Sequence, residues 1–251
     1  MQKTLVTFLL DRTGSMERIK NDTIGGFNAY LEGLTEGAAA DDTEFTFVQF
    51  DSVSIDKVCV SKPVKEVDKL TDATYSPRAW TPLIDASYKT IKAVETAVAG
   101  SDKKVVITIQ TDGEENASTE HSWQDLNDLI KEKTKLGWQF NFLGVGIDAY
   151  NQGAKMGIAT ANTMSATLDP QQMRAAYRFS GGNAAVFASG LAGSTSYSKA
   201  QKLSAGDTHD DADPVFPVPP TATVGMPPRK KTGTTPKVKS RPIVDDLDLT
   251  K

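Results

Sequence analysis

Three side chains near the start of the sequence have the chemistry and the spacing of a metal-ion site. Asp11, Thr13 and Ser15 follow a short apolar run at alternate positions, and Gly14 between them permits a sharp turn. Carboxylate and hydroxyl oxygens are hard ligands, which suit a hard cation such as Mg²⁺ with octahedral oxygen coordination. Because alternate spacing lets the three groups converge on one point, we predict that they bind a divalent cation.

Two later segments carry the same kind of ligand, and each has an alternative structural explanation. Thr81 precedes Pro82 at the start of a predicted helix, where a threonine–proline pair is also an ordinary helix cap. Asp112 and Gly113 end a predicted strand, where an aspartate–glycine pair is also an ordinary turn. Taken singly, neither segment distinguishes a metal ligand from a local structural residue.

The elements predicted around these segments place all of them at one edge of a sheet. Three runs rich in β-branched or aromatic residues predict buried strands: 4–10, 104–110 and 139–145. Three segments with apolar residues three and four apart predict helices: 24–34, 83–98 and 123–136. Apolar strands separated by helices indicate an α/β fold with a doubly wound, mostly parallel sheet and helices on both faces. Ligands of such sheets bind at the carboxyl ends of the strands, where the polar segments lie.

The segments 44–50 and 54–60 differ from the other strands because their polar and apolar residues alternate. A connection of about three residues joins them, which predicts a hairpin and one antiparallel strand at the sheet edge. Cys59 lies in the second of these strands, and we predict that it packs as a small core hydrophobe. A single cysteine excludes an intramolecular disulfide and a multi-cysteine zinc site.

The composition of the chain fits one medium-sized domain. Its 251 residues are 39% hydrophobic and 24% charged, with a formal net charge of -4 and a pI near 5.3. This balance gives no reason to expect binding to nucleic acid or to anionic membranes. No run approaches the roughly 20 apolar residues that span a bilayer, and the apolar run at the start is too short for a secretory signal. We therefore predict a cytoplasmic protein.

The composition changes near residue 195, where we place the boundary between a domain (1–195) and a tail (196–251). Eight of the twelve prolines lie in the tail and large apolar residues become sparse, so we expect residues 207–251 to be disordered. The tail holds a basic stretch from Arg229 to Arg241 and an acidic, apolar stretch from Val244 to Leu249. No aromatic side chain interleaves the basic residues, which favours a linker or docking peptide over a nucleic-acid arm.

The three polar segments, in this order, resemble the metal-ion-dependent adhesion site (MIDAS) of von Willebrand factor A (vWA) domains. The resemblance covers roughly residues 1–195 and rests on the patterns DxTxS, TPLxDA and TDG. It implies a Rossmann-like, six-stranded sheet with the first and fourth strands adjacent at its centre. The family usually has DxSxS. Thr13 keeps the middle hydroxyl and adds a methyl group, so we expect a modest change in metal affinity.

The same resemblance implies a role for each candidate ligand. Thr13 and Ser15 resemble the direct or near-direct hydroxyl ligands from the first loop. Thr81 resembles the hydroxyl that exchanges direct for water-mediated contact, while Asp11 and Asp112 resemble carboxylates that bind largely through water. The implied metal site therefore consists of Asp11, Thr13, Ser15, Thr81 and Asp112.

The site of this family leaves one coordination position open, which an acidic side chain of a partner protein often fills. Asp85 resembles the carboxylate that orients the loop without binding the ion directly. The resemblance thus implies a protein-binding module, not an enzyme, that depends on Mg²⁺, with Mn²⁺ or Ca²⁺ as alternatives. Relatives inside bacteria and their viruses often work beside AAA-type ATPases or in assembly complexes, which gives two candidate classes of protein partner.

Two other functions stay open on the sequence. Haloacid dehalogenase-like phosphatases also place an aspartate after their first strand, which raises a Mg²⁺-dependent phosphohydrolase as one alternative. In this chain Thr13 stands where those enzymes have a second acid, so the general acid is missing. The other alternative is a structural or assembly protein whose metal site is vestigial. It predicts that Mg²⁺ changes neither thermal stability nor partner capture.

Overall fold

The computed structural model describes residues 2–209, and a six-stranded sheet forms its centre. The strands are β1 (Thr4–Asp11), β2 (Thr43–Phe50), β3 (Ile55–Pro63), β4 (Lys104–Thr111), β5 (Gln139–Val145) and β6 (Thr163–Ala166). The helices are α1 (Lys20–Thr35), α2 (Leu83–Val98), α3 (Trp123–Lys135), α4 (Ala149–Met156), α5 (Pro170–Ala188) and α6 (Lys199–Ser204). A 3-10 turn at Gly14–Ile19 links β1 to α1.

The order of strands in the sheet is β3-β2-β1-β4-β5-β6, with every neighbouring pair parallel except β2 and β3. This order confirms the α/β prediction, including the adjacent first and fourth strands and the antiparallel strand at one edge. Leu10 of β1 pairs in register with Gln110 of β4. The residues that follow these two strands therefore leave the sheet side by side.

Successive side chains of β1 point to opposite faces of the sheet and divide the core into two layers. Val6, Phe8 and Leu10 belong to the buried cluster that includes residues of α1 and α5. Leu5 and Leu9 belong to the cluster that includes residues of α2 and α3. Each such side chain contributes about 1.5–3 kcal/mol on full burial, so both faces of β1 hold its carboxyl end in place.

The predicted hairpin is formed by β2 and β3, although β3 continues to Pro63 and so passes the predicted end at residue 60. Cys59 is partly buried and packs against the same cluster as Phe27 of α1. Burial raises the pKa of its thiol, which favours the neutral form that a core side chain requires. Its packing therefore matches a small hydrophobe at the margin of the core.

The helices α1 and α5 pack closely because two glycines leave room for the opposite backbone. A side chain at Gly33 would come within 2.6 Å of the carbonyl oxygen of Arg178, and one at Gly181 would meet the backbone of Tyr30.

Neither α5 nor any other helix within residues 2–209 combines the length and apolar character needed to cross a membrane.

The first residues after the predicted boundary at residue 195 pack on the rest of the described chain. Residues 196–209 continue the folded part: Tyr197 is buried and its hydroxyl lies 2.9 Å from the Ser180 hydroxyl of α5. Ser198 caps α6, and the side chain of Asp207 is also buried. The segment contains few large apolar residues and is attached by aromatic and polar contacts, which composition does not predict. Residues 210–251 lie outside the described residues.

Candidate metal centre

Asp11 ends β1 with its carboxylate fully buried at the carboxyl edge of the sheet. Its Oδ1 accepts a hydrogen bond of 2.6 Å from the backbone N–H of Thr13, and its Oδ2 accepts one of 2.5 Å from the hydroxyl of Thr111 in β4. The first bond folds the chain back after the strand, and the second ties β1 to β4. Both oxygens of Asp11 are thereby held at the start of the DxTxS turn.

Three hydroxyl groups from two loops meet beside this carboxylate. Oγ1 of Thr13 lies 3.2 Å from Oγ of Ser15 and 3.2 Å from Oγ1 of Thr81. Thr13 and Thr81 are buried, while Ser15 is exposed. The hydroxyl cluster therefore has a buried side and a side that opens to solvent.

Asp112 follows β4 and completes the group of oxygen atoms. Its Oδ1 accepts a hydrogen bond of 2.6 Å from the Ser15 hydroxyl, which places the carboxylate beside the hydroxyl cluster. Its Oδ2 accepts a longer bond of 3.2 Å from Nε of Arg18, whose side chain is half exposed. The arginine thus supplies a positive charge at the open side of the site.

All the predicted ligands lie at one point in the structure: Asp11, Thr13, Ser15, Thr81 and Asp112. Gly113 borders the same space, since a side-chain carbon there would lie 3.2 Å from Oγ1 of Thr81 and 3.4 Å from Oγ of Ser15. The missing side chain keeps open the space between the hydroxyls of two loops. Their assignment as ligands stays a prediction.

We expect Gly113→Ala to weaken Mg²⁺ binding. The added methyl group would push at least one hydroxyl by a few tenths of an ångström. Because Mg²⁺ demands near-ideal octahedral geometry at 2.0–2.1 Å, we expect the affinity for Mg²⁺ to fall about tenfold. Isothermal titration with Mg²⁺ measures it. Gly182→Ala in α5 is the matched control, because nothing lies within 4 Å of its added carbon. Equal affinity for both variants would show that no ion binds between these hydroxyls.

The loop that carries Thr81 does not use that residue as a helix cap. Helix α2 begins at Leu83 with Pro82 at the cap position, and no side chain caps it from there. The backbone N–H of Thr81 donates to the side chain of Asn116, and the N–H of Asn116 donates back to the carbonyl of Thr81. The local explanation for Thr81 therefore fails, and its hydroxyl is directed to the cluster instead.

Two carboxylates, one buried and one half-buried, hold the loop between β4 and α3 against the start of α2. Glu115 accepts hydrogen bonds from the backbone N–H of Ile84 and from Ser118. Asp85 accepts bonds from the backbone N–H groups of Thr119 and His121. Burial raises the pKa of Asp85, but these backbone donors and the His121 ring outweigh it and lower the pKa overall. Asp85 thus holds residues 119–121, in the loop that follows Asp112, against the start of α2.

Asp51 fastens the Thr81 loop from the other side. Its buried carboxylate accepts hydrogen bonds from Nε of Arg12 at 3.0 Å and from Nε of Arg78 at 2.9 Å. The backbone joins the same segments, since the N–H of Arg78 donates to the carbonyl of Arg12 and the N–H of Gly14 to that of Ala79. One carboxylate therefore locks the DxTxS turn to the loop that presents Thr81.

The buried position of Asp11 affects its ionisation. Burial raises the pKa of Asp11 to about 7, although hydrogen bonds from Thr111 and Thr13 oppose the shift, and the nearby Asp112 adds to it. The hydroxyl of Tyr75 donates a 2.6 Å bond to the backbone carbonyl of Asp11. Without a cation, the charged form of Asp11 lowers the stability of the folded chain. A divalent cation would favour that charged form.

The donor set fits a hard divalent cation of the magnesium type. Within residues 2–209 no group of three or more acidic, histidine or cysteine side chains is placed to hold a metal ion. Any ion at this edge must therefore rely on hydroxyl oxygens as well as on Asp11 and Asp112. Two carboxylates and three hydroxyls offer only oxygen, which Mg²⁺ and Mn²⁺ accept and which soft, thiolate-seeking metals do not.

The sequence motifs missed the residues that support the ligands. Arg18 and Asp51 touch the site or its loops but belong to no motif considered above, and Thr111 stands in the TDG pattern without a role of its own there. Glu115 also lies outside the three patterns, yet it accepts four hydrogen bonds. Only Thr111 had a usable signal, because it is a polar residue at the end of a buried strand next to Asp112.

Comparison with known proteins gives similarity at the level of fold. No protein-family model and no curated protein matches the chain. Proximal thread matrix protein 1 from the mussel byssus, with a zinc-occupied MIDAS motif, matches with a TM-score of 0.53 and 16% identity, over 72% of this chain and 46% of its own. Manganese-loaded TRAP protein of Plasmodium vivax matches with a TM-score of 0.52 and 16% identity, over 67% of this chain and 70% of its own.

A third match carries the family designation. The vWF domain of the type V pili tip protein Mfa5 from Porphyromonas gingivalis has a TM-score of 0.50 and 11% identity, over 70% of this chain and 93% of its own. The chain spans less than half the length of the mussel protein, so that protein's wider properties do not transfer. Together with the strand order, these matches show that the chain has the α/β fold of a vWA domain.

Proposed function

We propose that this chain binds a partner protein through a divalent cation, and that an acidic side chain of the partner completes the coordination of the ion. The proposed ligands are Asp11, Thr13, Ser15, Thr81 and Asp112. Mg²⁺ is the proposed ion, and Mn²⁺ or Ca²⁺ are alternatives. We also propose a cytoplasmic location and a partner of the AAA-type ATPase or assembly-complex class.

The convergence of hydroxyl groups from two loops is the observation that carries this proposal. Thr13 and Thr81 lie far apart in the chain, yet their buried hydroxyls are 3.2 Å apart and bond chiefly to each other and to Ser15. A fold gains little from such a cluster by itself, because a hydrogen bond contributes only about 1 kcal/mol net. A cation that binds all three oxygens would give the convergence a function, since Asp51 and the backbone already hold the two loops together.

The same geometry favours binding over catalysis. A phosphohydrolase that used Asp11 as a nucleophile would need a general acid close by. The groups bonded to Asp11 belong to Thr13 and Thr111, and the nearby carboxylate of Asp112 is held by Ser15 and Arg18. Both oxygens of Asp11 also accept hydrogen bonds within the fold. The exposed Ser15 marks the side from which a partner's carboxylate would reach the ion.

A vestigial site is the second candidate, because the ion pair between Arg18 and Asp112 supports it. The guanidinium supplies a positive charge at Asp112 from within the chain, so the site has part of the charge balance that a cation would give. This candidate predicts no change in thermal stability when Mg²⁺ is added, whereas the proposed function predicts a rise. Thermal unfolding in Mg²⁺ and in EDTA separates the two.

The test of the proposed function is capture of proteins from lysate by the full-length chain and by Asp11→Ala, each in Mg²⁺ and in EDTA. We expect a set of partners that the unaltered chain captures in Mg²⁺ and loses in EDTA. The Asp11→Ala variant should lose the same set in both solutions, because it lacks the buried carboxylate of the site.

The matched control is Asp102→Ala, which removes an exposed carboxylate away from the site. It should capture the same proteins as the unaltered chain in Mg²⁺ and should lose them in EDTA. Identical captured proteins for all variants in both solutions would show that the cation has no part in binding.

A further inference from the structure

An exposed apolar rim borders the hydroxyl cluster on the side of β2 and β3. Trp80 precedes Thr81 and is 68% exposed, and Val53 in the β2–β3 loop is 60% exposed. The two segments adjoin, since Ser52 donates its backbone N–H to the carbonyl of Trp80 and accepts the N–H of Trp80 on its hydroxyl. A large aromatic side chain next to a proposed ion is the kind of residue that anchors a bound peptide.

The positive charge of Arg18 beside the site suits an acidic occupant. A divalent ion would neutralise the carboxylates of Asp11 and Asp112, and the half-exposed guanidinium of Arg18 would then remain as a positive charge. Arg78, also half exposed, lies by Asp51 behind the rim. A segment that combines carboxylates with apolar side chains would match both the charge and the rim.

The described chain ends at the same edge of the sheet. The His209 ring stacks on the ring of Tyr150, in the first turn of α4, with 3.6 Å between ring centroids. Gln152 of the same helix donates a hydrogen bond of 3.2 Å to the carbonyl of Gly113, which borders the hydroxyl cluster. One short helix thus connects the exit of the chain with the metal site.

The chain beyond His209 is long enough to return to the site. About 35 residues separate His209 from Val244, and a chain of that length can span at most roughly 120 Å. β1 lies three strand positions from β6, which is about 15 Å at the usual spacing of strands. A segment tethered in this way reaches an effective concentration in the millimolar range.

We propose that residues 244–249 of this same chain bind across the metal site and supply the carboxylate that completes the coordination of the ion. This inference rests on the proposed function and names an occupant for its open position. Asp245, Leu247 and Leu249 alternate in the sequence, so in an extended segment they face the same side. Asp245 would then bind the ion, and the two leucines would cover Trp80 and Val53.

The occupancy has a functional consequence. An external partner must displace residues 244–249. The segment would therefore raise the affinity that a partner needs in order to bind, without any change in the site itself. The tethered carboxylate would also strengthen Mg²⁺ binding, because ion and segment each bind better when the other is present.

The test is a full-length variant with Asp245→Asn, Asp246→Asn and Asp248→Asn, compared with a control that carries Asp210→Asn, Asp211→Asn and Asp213→Asn. Both remove three charges beyond His209. We expect the first variant to bind Mg²⁺ about tenfold more weakly by isothermal titration, the order expected from a millimolar effective concentration. The control should bind as the unaltered chain does.

Tryptophan emission gives a second readout. In the unaltered chain, Mg²⁺ should shift the emission to shorter wavelength as leucines cover Trp80, and the shift should be absent in the 245/246/248 variant and in Trp80→Phe. An equal Mg²⁺ affinity in the 245/246/248 variant and the unaltered chain would overturn the inference. So would an equal loss in the control, or an affinity difference that grows with protein concentration, which would indicate a second copy of the chain.

The failure of the inference can be told apart from failure of the proposed function. If only the inference is wrong, Mg²⁺ still binds the full-length chain and Asp11→Asn still abolishes that binding. If Mg²⁺ does not bind the unaltered chain, the proposed function is wrong and the inference falls with it.

Discussion

Replacement of Asp11 by asparagine is expected to stabilise the metal-free protein at pH 8 while abolishing its response to Mg²⁺. The pKa of Asp11 is about 7 in the folded chain, against an ordinary value of 3.8 for an aspartate in water. At pH 8 the folded protein holds a buried charge, which costs about 4 kcal/mol at 1.36 kcal/mol for each pKa unit. Asparagine has nearly the same shape and no charge, so this cost disappears.

The hydrogen bonds of Asp11 can survive the substitution. The asparagine carbonyl can accept the N–H of Thr13, and its amide can donate to the hydroxyl of Thr111, which in turn donates to the carbonyl of Gly113 at 3.1 Å. We expect a rise in Tm of roughly 5–10 °C, which allows for an imperfect fit, since 1 kcal/mol shifts Tm by about 2–4 °C in a domain of this size.

The sign of the pH dependence follows from the same pKa. Between pH 3.8 and about 7 the folded chain keeps a proton on Asp11 that the unfolded chain releases. The stability that this proton gives is complete below pH 3.8 and is lost as the pH rises through about 7. In Asp11→Asn this part of the dependence should be absent, and thermal unfolding of both chains in EDTA from pH 4 to pH 8 measures it.

Mg²⁺ should raise the Tm of only one of the two chains. An ion at one hundred times its dissociation constant stabilises a folded protein by about 2.7 kcal/mol, so the unaltered chain should gain Tm in Mg²⁺ and Asp11→Asn should not. Asp102→Asn, at an exposed position, serves as the control and should behave as the unaltered chain in both solutions. A lower Tm for Asp11→Asn in EDTA at pH 8 would contradict the electrostatic account.

Replacement of Asp51 by asparagine is expected to destabilise the protein strongly and to weaken Mg²⁺ binding. The carboxylate is fully buried and pairs with two guanidinium groups, those of Arg12 and Arg78. Removing one partner of a buried ion pair costs about 3–5 kcal/mol, because the other charge is left buried. Arg12 also pairs with Asp56 and Arg78 is half exposed, so we expect about 3 kcal/mol.

The effect on Mg²⁺ binding comes from the loop geometry. Asp51 holds Arg78 and Arg12 together, and these arginines lie beside the loops that present Thr81 and Thr13. Asp56→Asn is the matched control: its carboxylate also pairs with Arg12 but is nearly half exposed, so a loss of under 1 kcal/mol is expected. Urea unfolding and Mg²⁺ titration measure both quantities. A small effect of Asp51→Asn on both would show that the backbone contacts alone fix the loops.

The fold was largely predictable because its strands differ in pattern from its helices. The segments 83–98 and 139–145 match α2 and β5 to the residue, since apolar periodicity changes sharply at their ends. Helix α5 escaped prediction because alanine and glycine form much of its buried face against α1, and small residues give a weak periodic signal. The segment 196–209 escaped because aromatic and polar contacts attach it, with little apolar surface.

The candidate ligands were predictable because each combines a polar side chain with the end of a buried strand or the start of a helix. The structure shows that Thr81, for which helix capping was an equal explanation, caps nothing and joins the cluster. The supporting residues were not predictable. Asp51 and Arg78 are ordinary charged residues in the sequence, and only the fold brings them together around the turn after β1.

The arginine at Asp112 bears on which ions the site can distinguish. A potassium or sodium ion that arrived there would exchange one positive charge for another, and would lose its own hydration in doing so. An ion of double charge adds attraction that Arg18 does not match, because the interaction energy scales with the product of the charges. If the site binds a cation as proposed, the guanidinium of Arg18 would compete with it for Asp112, and a divalent ion would compete better than a monovalent one. Selectivity for charge would then be built into the chain before any ion binds.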